Sequence, residues 1–122
     1  MTVQIALCVA IYVEPPNQAA SLHWRLPYGR VDGLPALTKA LALELAPVRV
    51  NLIAAGFVDT PLSATLLGDR LDQRRDQLRT TLPIGRVVGP GDVAALAVHL
   101  MTNTAVTGAT YDIDGGQQLV EA

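Results

Sequence analysis

Residues 33–61, GLPALTKALALELAPVRVNLIAAGFVDTP, constrain the fold most, because they join a helix to a strand and the strand to a loop. Leu34, Leu37, Leu41 and Leu45, with Ala40 between them, recur at helical spacing and predict one buried stripe on a helix over 34–46. Pro47 is expected to stop that helix. A strand over 48–54 follows, apolar enough to be buried on both faces of a parallel sheet. Gly56 comes where the strand ends, and Asp59-Thr60-Pro61 opens the next helix. Ligands of open α/β sheets bind at the carboxyl ends of strands, so this loop is the expected ligand-facing place.

The rest of the chain fits one α/β layer. Val3 to Val13 reads as a further buried strand; it is too short to span a bilayer and lacks the basic lead of a signal peptide. Residues 14–27 read as irregular because of Pro15, Pro16 and Pro27. Residues 62–80 read as a polar helix or lid and 82–91 as loop. Asp92 is expected to cap a helix over 93–101, with Ala94, Ala95, Ala97 and Val98 permitting close packing. Thr110 to Ile113 is the expected last strand, closed by Gly115-Gly116. Strands alternating with helices predict a parallel sheet with flanking helices in a single domain over 1–122.

Bulk properties set the class. A mean hydropathy of +0.32 is high for so short a chain, as expected if some apolar surface is to be covered by a missing half or by a partner. A net charge of −2 gives no basic footprint for nucleic acid or an anionic membrane. The single Cys8 gives neither a disulfide framework nor a thiolate metal cluster, and points to a cytoplasmic protein.

Several motifs in register then resemble one family. The helix ending LALELA, the strand VRVN, the loop G-F-V-D-T, the segments Leu82–Arg86, Gly89-Pro90 and Asp92–Ala94, and Thr107-Gly108 through Asp114-Gly115-Gly116 resemble the carboxy-terminal half of the short-chain dehydrogenase/reductase family. The resemblance spans residues 28–120 and implies a Rossmann-type fold, NAD or NADP as cofactor, and a homo-oligomer. It also implies that the backbone near Val58 meets the nicotinamide carboxamide, that Thr60 hydrogen-bonds the carboxamide or pyrophosphate, and that Gly56 permits close backbone approach. Ala55 stands where the family usually has proline. The alternative for Thr60 is an ordinary helix N-cap.

The family's catalytic pair is a tyrosine with a lysine four residues on, whose charge helps the phenol exchange a proton near neutral pH. Tyr28 stands at the tyrosine position, but Asp32 stands at the lysine position, and an anion there opposes tyrosinate. Tyr28 read without the family is an amphipathic residue at a helix start. Ser21 is the candidate for the serine that hydrogen-bonds the substrate oxygen, at shorter spacing than the family's. The glycine-rich turn that receives the pyrophosphate, and the family's N-A-G segment, do not occur in these 122 residues. Cofactor binding is therefore expected to be weak or absent, and the chain to be a truncated oxidoreductase with little activity alone. The mismatch of residues 1–27 keeps a misassigned start or reading frame open. The alternative is a non-catalytic oligomerisation module that pairs with itself or a full-length relative.

Other groups have simpler readings. His23 and His99 lack a second metal-ligand pattern, and Asp112 with Asp114 belongs to the glycine turn. Arg70, Arg74, Arg75 and Arg79 among Asp69, Asp72 and Asp76 read as a solvated helix face with local ion pairs.

Overall fold

The computed structural model describes residues 5–10 and 30–120, with side chains from residue 33 onward. Three strands form one parallel sheet in the order β1-β2-β3: β1 is Ile5–Ala10, β2 is Arg49–Ala55 and β3 is Thr110–Ile113. Cys8 faces Leu52 across the first pair, and Leu52 faces Thr110 across the second. Helix α1 (Arg30–Glu44) lies between β1 and β2 in the chain. Helices α2 (Pro61–Leu67), α3 (Leu71–Thr81) and α4 (Pro90–Thr102) lie between β2 and β3, with a 3-10 turn at Gly68–Arg70; α5 (Gln117–Val120) ends the described chain. Parallel strands need such crossovers, because a tight turn cannot return the chain in the same direction. The α/β reading and the parallel sheet are as expected, and a strand lies inside the apolar run 3–13. Residues 14–27, expected to be irregular, lie outside the described part.

β2 is central because its residues suit two buried faces. Val50, Leu52, Ile53 and Ala55 join Phe57, Leu78, Leu82, Val88 and Leu100 in the core. Two polar residues of this strand are buried with them. The Arg49 guanidinium donates to the carbonyls of Leu100, Met101 and Val106, which ties the end of α4 to the sheet. Asn51 donates to the Val106 carbonyl and accepts from the Ala109 N–H, which sets the entry to β3.

Three expectations are corrected. Helix α1 begins at Arg30 and contains Pro35, and its apolar stripe is only partly covered: Leu41 is half-buried, while Leu34, Leu37 and Leu45 are 40%, 50% and 44% exposed. The covered side of the helix carries Thr38, whose hydroxyl donates to the Leu34 carbonyl, and Ala42, which lies against Gly108; the leucines flank that side. Asp92 is the third helical residue of α4, not its cap. Gly89 is the N-cap, Pro90 opens the helix, and the Asp92 carboxylate reaches back to accept from the Gly89 N–H at 2.9 Å. Ala94, Ala95 and Val98 are exposed, and Leu100 is the residue through which α4 buries itself.

Candidate functional site

The loop after β2 is closed from two sides. A Cβ on Gly56 would lie 2.7 Å from the Asp114 Cβ and 2.7 Å from the Gln117 Oε1, so only glycine fits between β2 and the turn after β3. The Gln117 Oε1 accepts from the Phe57 N–H at 3.1 Å, joining α5 to the loop. Val58 forms a parallel bridge with Val88, and the Asp59 N–H donates to the Val88 carbonyl at 2.9 Å. Thr60 is the N-cap of α2: its Oγ1 accepts from the Ser63 N–H, while its own N–H donates to the Ser63 Oγ. Such a reciprocal box satisfies donors that a helix start leaves open. Asp59 points the other way and takes both of its oxygens to the Arg75 guanidinium.

The turn after β3 forms the neighbouring wall. The buried Asp114 carboxylate accepts from the Gly116 and Gln118 N–H groups at 2.8 and 3.1 Å, so it serves the turn, as the sequence predicts. Gly115 and Gly116 adopt φ of +66° and +87°, and a Cβ on Gly116 would meet Pro83 at 2.6 Å. Beyond Asp114 lies an open cleft of about 460 Å³ between Ile84, Asp112 and Gly115. Arg86 and Asp92 close its rim with two contacts of 2.7 Å. The Arg86 guanidinium, and then the Gly89 N–H, hold the Asp92 carboxyl well below the usual carboxylate range.

Of the residues expected from the sequence, Gly56, Val58 and Thr60 come together in this one loop at the carboxyl end of β2. Tyr28 and Ser21 lie outside the described residues. Asp32 is on the α1 backbone. Three partnerships escaped the sequence: Gln117 with Phe57, Asp59 with Arg75, and Arg49 with the end of α4. Only Arg49 left a signal there, as a cation inside a largely apolar strand.

The fit to a dinucleotide is one-sided. Toward a ligand the loop presents a glycine that admits close approach and a backbone fixed at Val58 and Asp59, while the Thr60 hydroxyl is already engaged by Ser63. The pyrophosphate end is not matched by the well-formed start of α4, because the Asp92 carboxylate already holds the Gly89 N–H and would repel a phosphate.

Known proteins agree with this partial architecture. Residues 32–118 match the family model described as enoyl-(acyl carrier protein) reductase. A short-chain dehydrogenase/reductase, malC, from Malbranchea aurantiaca is 33% identical over 96 residues, covering 79% of this chain and 36% of the relative. A 3beta-hydroxysteroid dehydrogenase from Eggerthella lenta is 43% identical over 91 residues, covering 71% of this chain and 34% of the relative. Among solved structures, the MalC reductase/Diels-Alderase superposes with a TM-score of 0.73 at 29% identity, over 93% of this chain and 46% of that one. A small-chain dehydrogenase in complex with NADPH gives 0.66 at 36% identity, over 70% and 39%. The chain spans about a third of the length of the curated relatives it matches. Among the described residues no helix is long and apolar enough to cross a membrane. On the strength of the matched span and of a sheet that superposes on that fold, the chain belongs to the short-chain dehydrogenase/reductase family.

Proposed function

We propose that these residues are the nicotinamide-facing and lid-bearing part of an NAD(P)-dependent oxidoreductase acting on a hydroxyl or carbonyl compound, and that alone they are a poor catalyst. The observation that carries this reading is the loop from Gly56 to Thr60, held at a strand end by Gln117 and Val88. In this reading Gly56, Val58 and Thr60 meet the nicotinamide end of the cofactor, which when bound supplies or accepts hydride. Tyr28 exchanges a proton with the substrate oxygen, and Ser21 hydrogen-bonds that oxygen. Asp32 in the lysine position works against ionisation of Tyr28 and so slows proton removal from an alcohol. The NADPH complex of a similar small-chain dehydrogenase supports the cofactor class. The single cysteine and modest charge support a cytoplasmic setting.

Titration with NADPH tests the reading. The 122-residue chain should bind more weakly than about 1 mM, equivalent to roughly 4 kcal/mol, and should turn over no carbonyl compound. Supplying an amino-terminal segment with a glycine-rich turn should raise affinity, and Thr60→Ala should lower it again. Low-micromolar binding by the chain alone, turnover lost in Tyr28→Phe, or no gain from the added segment would each contradict it.

A second reading is favoured by one observation, the leucines that α1 turns outward. In it the chain acts as an assembly module whose α1 face meets a second copy, giving a homodimer or tetramer with two-fold contacts. Its readout is the size of the chain in solution.

A further inference from the structure

The strand pairing that orders β2 stops short of the Gly56–Thr60 loop. Ala55 and Ile113 are the last residues paired between β2 and β3, yet the Phe57 N–H, two residues on, is buried and needs an acceptor. It finds one in a side chain: the Gln117 Oε1, sixty residues along the chain, accepts it at 3.1 Å. Gln117 is itself only 7% exposed, and a long side chain held in one arrangement needs a firm base. Its base is the turn after β3. The Gln117 N–H donates to the Asp114 carbonyl at 3.2 Å, and the Asp114 carboxylate takes the N–H groups on either side, of Gly116 and Gln118. Gly115 and Gly116 lie so close to Ile84 and Pro83 that a Cβ on each would fall 2.9 and 2.6 Å from them.

The effect on the loop follows from the peptide unit. A peptide is planar, so fixing the Phe57 N–H also fixes the Gly56 carbonyl on its far side. The Phe57 ring is anchored in the core against Leu78 and Leu82, and beyond Val58 the Asp59 N–H is held by the Val88 carbonyl. Val58 is therefore clamped from both neighbours. The Val88 clamp is main chain, whereas the Gln117 clamp depends on one side chain. We propose that Gln117 is a positioning residue for the nicotinamide: it sets the Gly56–Phe57 peptide, and through it the direction of the Val58 backbone toward that end of the cofactor. It acts only through the loop. Its role toward nicotinamide rests on the cofactor-loop reading; its hold on the loop does not.

Amide NMR on the whole chain tests this in two steps. Without cofactor, Gln117→Met should speed exchange of the Phe57 N–H roughly tenfold and move the amide signals of residues 56–59. Gln118→Met, at an exposed position on the same short helix, should leave both unchanged. With NADPH at about 10 mM, the cofactor-induced shifts of the Val58 and Thr60 amides should fall about fivefold in Gln117→Met. Val50→Ala loosens the buried core of β2 without touching the loop, and should keep those shifts even at a comparable melting temperature. Should Gln117→Met fail to fold, Gln117→Ala carries the same comparison. The proposal is overturned by unchanged Phe57 exchange, or by NADPH shifts in Gln117→Met equal to those of the unaltered chain or of Val50→Ala. Absence of NADPH shifts in the unaltered chain would sink the cofactor-loop reading and the nicotinamide role with it, while the exchange result would separately show whether Gln117 holds the loop.

Discussion

Strand β2 and helix α1 pack against each other, and the chain finishes the first far more completely than the second. β2 buries even its polar side chains: the Arg49 Nη atoms and Asn51 find carbonyl and N–H partners fifty or more residues away at 2.8–3.2 Å, and among the described residues only the buried Arg49 Nε lacks one. α1 covers Thr38 but leaves Leu34, Leu37 and Leu45 about half exposed. Hydrogen bonds are directional, so a buried polar group shows whether its partner lies within the same chain. Apolar surface carries no such label, and its burial can be supplied by any polypeptide that covers it. Exposed leucines in a row therefore mark the side on which other protein is to be expected.

The contrast can be broken first at its strongest point. Arg49→Met removes a cation that serves three carbonyls and should cost roughly 3 kcal/mol of stability in urea unfolding. A loss near zero would mean that the strand is not organised through Arg49. Gly56→Ala places a methyl group within 2.7 Å of Asp114 and Gln117 and should cost about 2 kcal/mol through overpacking, read from the melting temperature. It should also free the Phe57 N–H from Gln117; an unchanged melting temperature would show that the loop yields easily. The smallest effect concerns acid. Because the Asp92 carboxyl is held below its ordinary value, what it contributes is present above about pH 4 and is lost as pH falls through the lowered folded value. Asp92→Asn should therefore flatten the acid end of the stability profile, and Arg86→Gln should move the Asp92 titration upward in NMR. Parallel acid profiles for the unaltered chain and Asp92→Asn would count against this.

Local rules carried far into the structure. Thr110 to Ile113 is the last strand at the bounds its sequence suggests, β2 is shifted by a single residue, and Asp114 sits in its glycine turn. Thr60 precedes its proline as an N-cap because that geometry needs only neighbours in the chain. What was not legible depends on distance or on a missing side chain. Arg75 has Asp72 three residues away, so nothing local tells it to choose Asp59, sixteen residues back. Gly89 as N-cap offers no side chain to recognise, so the sequence points to Asp92 in its place. The leucine periodicity of α1 predicts the helix but not how far its stripe is covered, because periodicity reports one-sidedness and not what lies on that side. The loop from Gly56 to Thr60 is legible as a strand-to-helix connection, whereas its role toward a cofactor, like the roles of Tyr28 and Ser21, is a proposal.

Whether the outward leucines of α1 are a contact face decides if the contrast with β2 has a function. Light scattering at about 50 µM, where a micromolar contact is populated, should give at least twice the 12.9 kDa of one chain. Leu37→Glu should reduce that to a single chain while leaving the β2 core intact by circular dichroism. A stable monomer for the unaltered chain, or a Leu37→Glu variant of unchanged size, would contradict it.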